Sequence, residues 1–418
     1  MMTRVNDGAR ETGTLLAETV RLEGARILAT LVRTVGDLRL AEDAVQEATI
    51  SALRDWPVHG VPDSPRAWIT TTARHKAIDL LRRERLRTGK EREGVELMEL
   101  RAPDPPPESR VRDDQLRLIF TCCHPALEPV SRIALALRTL CGLSTAQIAA
   151  VLLTTEAATA KRLTRVRQKI ARAKIPYRTP DEAELPVRLT AVCGVVHALY
   201  TTGHTAIAGR DLVDVDMCLE AVRLARLLTA LLPDEPQPQA LLALLLFSEA
   251  RRAARLTADG RVVLLADQDR GRWDRQAEAE ALALLNRSLH RTEAIADPYQ
   301  LQAAIAAQHA IAPTAADTDW REIVRLYGLL LQVQPTPAAA LGHAVAVAED
   351  RGPEAGLAEL DAIAEQDHRW WAIRAELLAR TGRFEAATAA MRRSLDATLP
   401  EPERVHRISR ITRWADMD

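Results

Sequence analysis

Helical periodicity is the feature that most constrains the fold of this 418-residue chain. Apolar residues recur at the spacing of one helix face in nearly every stretch, and short breaks containing Pro or Gly separate these stretches. Ala, Leu and Arg recur throughout and favour helix, whereas aromatic residues make up only 3% of the sequence. The sequence therefore predicts an all-α fold, and its length suggests two or three domains, each with its own core.

Two joints rich in Pro divide the chain into three helical blocks. The stretch APDPPPES at 102–109 cannot form helix or strand, so residues 88–111 are predicted to be a stiff, extended linker. The second joint, IPYRTPDEAELP, occupies residues 175–186. The predicted domains are residues 10–87, 112–175 and 183–415.

Composition excludes several classes of protein. The five cysteines are too few and too irregularly spaced for a disulfide framework. The N-terminus, MMTRVNDGARE, has no apolar signal region, and the longest apolar run, 240–247, is far short of a membrane span. We therefore expect a cytoplasmic protein that makes no membrane contact.

One predicted helix, RAWITTTARHKAIDLLRRERLR at 66–87, concentrates positive charge in a chain of net charge -1. Ser64 is its expected N-cap and Pro65 its first helical residue. Only Asp79 and Glu84 oppose the cations, which include Arg74, Lys76, Arg82, Arg83, Arg85 and Arg87. A basic amphipathic helix of this kind can contact RNA, DNA, an anionic membrane or an acidic protein.

A helix-turn-helix pattern follows in GLSTAQIAAVLLTTEAATAKRLTRVRQKIARAK at 142–174. Ser144 caps a short helix that turns Ile148, Ala149 and Leu152 inward, and residues 153–155 form the turn. The second helix carries Lys161, Arg162, Arg165, Arg167, Lys169, Arg172 and Lys174. Such a helix suits the major groove, where its first turns meet base edges and its basic flanks hold phosphates. Two basic modules on one chain predict duplex DNA, contacted at two places.

The first two blocks resemble regions 2 and 4 of bacterial RNA polymerase sigma factors of the extracytoplasmic-function class. The resemblance implies that the helix matching AEDAVQEATISALRDW at 41–56 docks on the clamp helices of the largest polymerase subunit. The residues it implies for that contact are Asp43, Gln46 and Glu47. It also implies that the helix at 66–87 reads and melts the −10 element, with Trp68, Arg74, Lys76, Arg82 and Arg83 on the DNA.

The helix-turn-helix corresponds in this resemblance to the reader of the −35 element. The implied DNA-binding residues are Thr159, Lys161, Arg162, Arg165 and Arg167. Two positions depart from the family pattern: His75 replaces the usual Asn, and Leu153 replaces the usual turn Gly, which costs strain if that backbone is left-handed. The linker is expected to hold the two modules about two DNA turns apart, at ~3.3 Å per extended residue.

The third block resembles the long C-terminal extension of one subgroup of that class. The matching motifs are EAVRLARLL (220–228), EARRAARLTADGRVVLLADQDRGRWD (249–274), DPYQLQAAIAAQHA (297–310), TDWREIVRLYGLLL (318–331) and RGPEAGLAELDAI (351–363). Gly352 and Gly382 lie 30 residues apart in two similar helix-turn-helix units, which predicts tetratricopeptide-like hairpins; an irregular helical bundle is the alternative. Residues 200–204, YTTGH, stand where the extension usually carries Phe-Asn-Glu-Gly-Tyr. If the usual Asn and Glu make a regulatory contact, that contact is lost or altered in this chain.

Two segments invite a chemical interpretation. In DGRVVLLADQDRGRWD at 259–274, carboxylates and arginines could hold a metal and a phosphate, but an ion-paired structural joint is favoured over a regulatory surface or a catalytic site. In TCCHPAL at 121–127, Cys122, Cys123 and His124 could bind zinc or sense oxidation, but buried packing residues are favoured. We expect no catalytic residue, no metal and no cofactor.

These observations predict an alternative sigma factor that binds core RNA polymerase and directs promoter recognition and melting. Its C-terminal repeats would modulate that activity, and a protein or peptide regulator could act on them. The alternative is a stand-alone helix-turn-helix regulator whose repeats sense a peptide or protein. A repressor of that kind would need neither the acidic docking helix nor the melting helix.

Overall fold

The structure, a computed structural model, describes residues 2–88, 108–152, 154–173, 175–204, 214–293, 295–364 and 366–416. The predicted all-α fold is confirmed: the described residues form helices joined by turns, and they contain no β-strand, only one isolated bridge between Leu256 and Val262. Residue 153, Lys174 and linker residues 89–107 lie outside the described residues, as do the side chains of Arg85 and Arg87.

The chain divides into two compact units, residues 1–195 and 196–418, and the division falls within one helix. The helices of the first unit are α1 (Met2–Val35), α2 (Leu38–His59), α3 (Pro65–Thr88), α4 (Glu108–Cys122), α5 (Pro129–Thr139), α6 (Thr145–Val151), α7 (Glu156–Arg172) and the start of α8 (Leu185–His204). No helix in the described ranges combines the length and apolar character needed to cross a membrane.

Local signals define where these helices begin. Pro65 is the first residue of α3, as predicted. Ser144 and Gln147 cap α6 reciprocally, because each side chain accepts a hydrogen bond from the other residue's backbone N–H, at 3.2 and 2.9 Å. Thr155 caps α7 by accepting a hydrogen bond from the N–H of Ala158. The helix-turn-helix is thus formed by α6 and α7.

Helices α1, α2 and α3 pack together through an alanine-lined face of α2. Ala41, Ala44, Ala48 and Ala52 are fully buried and recur every three or four residues, so small side chains allow close helix packing. Trp56 is buried at the end of this face. The opposite side of α2 is therefore left toward solvent.

The first and second helical blocks are in direct contact. Arg33 of α1 bonds the buried carboxylate of Asp114 of α4 at 2.8 Å. The hydroxyl of Tyr177 donates to the backbone carbonyls of Ala29 and Asp114, at 2.8 and 3.0 Å. The two modules are therefore in contact in this arrangement, and the expectation that the linker holds them about two DNA turns apart stays a prediction for the promoter-bound protein.

The second unit is a succession of helices joined by short turns. They are the end of α8, α9 (Val215–Leu231), α10 (Pro236–Ala250), α11 (Arg275–His290), α12 (Pro298–Ile311), α13 (Trp320–Val333), α14 (Pro337–Arg351), α15 (Pro353–Asp361), α16 (His368–Arg380), α17 (Phe384–Ser394) and α18 (Glu401–Ala415). Three short 3-10 turns at 252–254, 265–267 and 270–272 lie between α10 and α11.

Two hairpins of this unit confirm the repeated pattern seen in the sequence. Gly352 joins α14 to α15 at φ +95°, and Gly382 joins α16 to α17 at φ +79°, a region that favours glycine. Within the first hairpin, Gly356 of α15 lies so close to Ala348 of α14 that a Cβ atom would collide with it. Each pair is a helical hairpin of the kind that the sequence predicts for this part of the extension.

Candidate nucleic-acid interface

Helix α7 presents a cationic face to solvent. Its exposed cations are Lys161, Arg165, Lys169 and Arg172, spaced by four, four and three residues, so they lie along one side of the helix. Within the part of the chain that the structure describes, none of the four forms an ion pair. Four unneutralised cations in a row match the charge pattern of a DNA backbone.

Three other predicted −35 residues occupy different positions on α7. Thr159 is fully buried together with Leu163, so its hydroxyl cannot reach DNA in this arrangement. Arg162 is half-buried. Arg167 points away from the cationic face and pairs with Glu42 of α2, with 2.6 Å between Nη2 and Oε2. Sequence spacing alone could not show that the inward face of α7 meets α2.

Helix α3 has a packed face and an open face. Ile69, Ala73 and Ala77 are buried. The residues exposed on the opposite side are Thr71, His75, Asp79 and Arg82, and Arg83 is exposed near the helix end. His75, which departs from the family pattern, thus lies on the same open face as Arg82, about two helical turns away, where a nucleic acid can reach both side chains.

The remaining predicted −10 residues are partly enclosed. Trp68 is half-buried and its ring packs edge-on against Trp56, with centroids 5.6 Å apart. Lys76 is half-buried as well. Arg74 is half-buried, and burial together with the neighbouring charge of Arg33 lowers its pKa. Trp68 therefore contributes to packing in region 2, whatever contact it makes with a partner.

The outward side of α2 carries the predicted acidic docking residues. Asp43 and Gln46 are exposed, and Glu47 is half-buried. Further along this side, Ile50 and Leu53 are 40% and 52% exposed. These two apolar residues are not among the predicted docking residues, although their spacing from Asp43 and Gln46 places them opposite the buried alanines. Apolar side chains flanked by acids are typical of a protein-docking surface.

The described residues offer no cluster of His, Cys, Asp or Glu that could hold a metal ion. All five cysteines are free and buried, which confirms the packing interpretation of Cys122 and Cys123. Burial raises the pKa of the Cys123 thiol to about 12, so it is protonated and unreactive at neutral pH.

In the segment at 259–274, the predicted pairing of Asp with Arg occurs once among the described residues. Asp259 does pair with Arg261 at 2.7 Å. Asp269 and Asp274 instead cap helical turns by accepting backbone N–H bonds. Arg270 donates to the carbonyls of His309 and Ala312. The partners of Arg270 are therefore backbone carbonyls at the end of α12, which is remote in sequence, and not the carboxylates of its own segment.

Three family models match the chain. Residues 19–87 match Sigma-70 region 2, residues 117–170 match Sigma-70, region 4, and residues 188–289 match a family of unknown function, DUF6596. The chain therefore belongs to the sigma-70 family, as a sigma factor of the extracytoplasmic-function type with a C-terminal extension. This class recognises promoters in transcription initiation and binds DNA, as a transcription factor rather than an enzyme.

A curated relative matches most of the chain. The chain is 42% identical over 373 residues to Uncharacterized protein R00370 of Rhizobium meliloti (strain 1021), an alignment that spans 87% of this chain and 88% of the relative. The two proteins therefore belong to one family that shares the C-terminal extension. No solved structure matches the chain.

Proposed function

We propose that this chain binds core RNA polymerase and directs it to promoters whose −10 and −35 elements it reads through regions 2 and 4. The observation that carries the proposal is that one compact unit presents two different surfaces. One is the unneutralised cationic face of α7, and the other is the acidic and apolar outward face of α2. A DNA-binding regulator needs the first surface, but only a polymerase subunit needs both.

Core polymerase would bind the outward face of α2. Asp43, Gln46 and Glu47 would meet polar or cationic groups of the clamp helices, and Ile50 and Leu53 would bury their exposed apolar surface against them. Desolvated apolar groups contribute most of the affinity of such interfaces, and the charged rim governs specificity and association rate.

The −10 element would be captured by α3. Opening duplex DNA forfeits stacking of about 1.4 kcal/mol per step, so melting requires that the exposed strand be held. Arg82 and Arg83 are exposed and can bind its phosphates. Trp68, Arg74 and Lys76 are half-buried, and we propose that they line the edge of a pocket for an unstacked base.

The −35 element would be read by α7. Lys161 and Arg165 lie exposed in its first half, where a recognition helix meets the major groove. Arg162 is half-buried beside them, and Lys169 and Arg172 extend the phosphate-binding face. Arg167 could contribute only after α7 separates from α2 and its ion pair with Glu42 opens, whereas Thr159 is buried within the inward face of α7. We propose that this separation accompanies promoter binding, because the two elements lie farther apart than the modules do here.

The C-terminal extension would modulate this activity in cis, and a protein or peptide could act on it, since stacked helical hairpins generally bind peptides or pack on neighbours. The protein would then work where core polymerase does, in the cytoplasm. A chain ending at residue 195, where the first compact unit ends, tests the role of the extension. If that chain keeps its helical content and its transcription is unaltered, the extension does not modulate transcription and serves only as a scaffold.

Transcription in vitro by the full chain with purified core polymerase tests the main proposal. The chain should co-purify with core enzyme and support promoter-dependent initiation with strand opening. A chain that binds duplex DNA but neither associates with core polymerase nor supports initiation is a stand-alone regulator instead, and the proposal is then rejected.

A further inference from the structure

A group of arginines in the second unit lacks negative partners. Arg251 and Arg255 follow the end of α10, and Arg270 lies in the last 3-10 turn before α11. Among the described residues, no carboxylate forms an ion pair with any of the three. Arg255 donates to the carbonyl of His204 at 2.9 Å, and Arg270 donates to carbonyls of α12 and to the hydroxyl of Thr318.

The nearest carboxylates are already engaged. Glu249 accepts a hydrogen bond from the Tyr200 hydroxyl at 2.9 Å and pairs with Arg252 at 3.2 Å. Glu278, which lies near Arg270, bonds Arg275 at 2.8 Å through Oε2, while its buried Oε1 has no hydrogen-bond partner. Asp317 accepts bonds from Thr314 and lies near Arg270 without bonding it. The cluster of Arg251, Arg255 and Arg270 therefore keeps excess positive charge.

The electrostatics of the neighbouring groups reflect this excess. Burial, reinforced by the charges of Arg255 and Arg270, lowers the pKa of Arg251 to about 10. Burial and the same arginine cluster hold the pKa of His204 at about 3 and that of His309 at about 4, so both imidazoles are neutral. Charged groups taken out of water without partners are costly.

Two buried nitrogens without hydrogen-bond partners lie at the same place. Trp273 is only 3% exposed, and its indole N–H is buried with no acceptor. Its ring lies 4.8 Å from the Arg270 guanidinium and 6.0 Å from that of Arg251. Nε2 of His204 is likewise buried without a partner. Arg251, Arg255 and His204 remain half-buried rather than sealed, so a small molecule can approach them.

We propose that this cluster binds the phosphate group of a small molecule, which supplies the missing negative charge. Guanidinium groups match a phosphate oxyanion in charge and geometry, and buried N–H donors give it direction. Binding would order the joint between α10 and α11 and its contact with α12. The C-terminal extension would thereby respond to a phosphorylated metabolite or to free phosphate. This site does not depend on polymerase binding.

Thermal unfolding of the full chain tests the site. Potassium phosphate or glucose 6-phosphate is titrated at an ionic strength held constant with potassium chloride. Either compound at about a hundredfold excess over its Kd should raise the unfolding midpoint saturably, by roughly 5–10 °C. Tighter binding of glucose 6-phosphate identifies an organic phosphate, and equal binding identifies free phosphate. The absence of a saturable shift with both compounds overturns the proposal.

Two substitutions separate specific binding from a general salt effect. Arg251→Gln should leave the midpoint in chloride unchanged or higher, because it removes an unpaired desolvated charge, and should abolish the phosphate response. Arg261→Gln, which alters an exposed arginine of the same segment that pairs with Asp259, should respond like the wild type. Equal responses of all three chains would show only non-specific stabilisation and overturn the site. If Arg251→Gln does not fold, calorimetric titration of the wild type with phosphate and with glucose 6-phosphate decides, because the absence of saturable heat with both compounds overturns the site.

Discussion

Arg167 of α7 and Glu42 of α2 are joined by an ion pair, with 2.6 Å between Nη2 and Oε2. It links the second helix of the helix-turn-helix to the helix proposed to dock on polymerase, one residue before Asp43. Thr139 of α5 adds a hydrogen bond to the same carboxylate at 3.4 Å. Because burial raises the pKa of Glu42 even beside Arg167 and Arg138, this contact is a costly one that opening can relieve.

Charge reversal at this pair should loosen the contact between regions 2 and 4. Arg167→Glu and Glu42→Arg each place like charges together, so backbone hydrogen exchange in α2 and α7 should accelerate. The double reversal restores opposite charges and should recover protection, with a coupling free energy of about 0.5–3 kcal/mol. Exchange in α16 and α17, which lie in the other unit, serves as the internal control. Unchanged protection in both single variants would contradict the assignment.

The same contact should depend on pH. The pKa of Glu42 is raised in the closed arrangement relative to its ordinary value of 4.5, so the closed arrangement binds more protons than an open one with exposed Glu42. Closing should therefore strengthen as pH falls through the raised pKa and weaken as pH rises through it. Energy transfer between dyes on α2 and α7 would measure this. The glutamine of Glu42→Gln has no titrating carboxyl group, so this variant should lose the part of the pH dependence of closing that comes from Glu42. The same pH profile in the variant and the wild type would show that Glu42 is not the titrating group.

The docking surface on α2 predicts a separation between core binding and stability. Leu53→Asp puts a charge where an apolar side chain would be buried by polymerase, so the affinity for core enzyme should fall at least about tenfold. Asp43→Arg with Glu47→Arg should abolish binding. Val58→Asp is the matched control, because Val58 lies on the same helix and is 75% exposed. Affinity would be measured by pull-down with core polymerase; equal loss in the control variant would refute a localised surface.

Local signals in the sequence predicted much of the fold and less of the site. The Ser144 cap, the Pro65 helix start and the turns at Gly352 and Gly382 depend on neighbouring residues, which the sequence shows directly. The Arg167–Glu42 pair depends on a contact between distant segments, which no periodicity encodes. The burial of Thr159 could have been predicted, because its spacing to Leu163 and Val166 places it on the inward face of α7. Ile50 and Leu53 could have been found, because their spacing places them opposite the alanine face of α2.

The close approach of α14 and α15 predicts an effect of a single methyl group on stability. A Cβ at Gly356 would collide with Ala348 and lie 2.9 Å from the carbonyl oxygen of Ala344. Gly356→Ala should therefore lower the free energy of unfolding by about 1–3 kcal/mol. Gly328→Ala is the matched control, because that helical glycine has open space around it, and it should stabilise α13 by about 0.5–1 kcal/mol. Denaturant unfolding monitored by circular dichroism compares the two variants. Equal stability would show that the hairpin adjusts freely.

The cationic face of α7 predicts how DNA affinity depends on salt. If Arg165 contacts a phosphate, Arg165→Ala should weaken binding of the holoenzyme to all −35 sequences, and the slope of log affinity against log salt should become shallower by about 0.9. If it contacts a base edge, the loss should be about 1–3 kcal/mol and should relax the preference at one position. Arg413→Ala, which alters an exposed arginine near the end of α18, controls for loss of a positive charge outside the helix-turn-helix. Binding to a set of −35 variants at several salt concentrations distinguishes the two roles. Arg165 has no carboxylate partner among the described residues, so its removal breaks no internal ion pair. An Arg165→Ala protein whose DNA affinity equals that of the wild type for every −35 variant and at every salt concentration would exclude Arg165 from the interface.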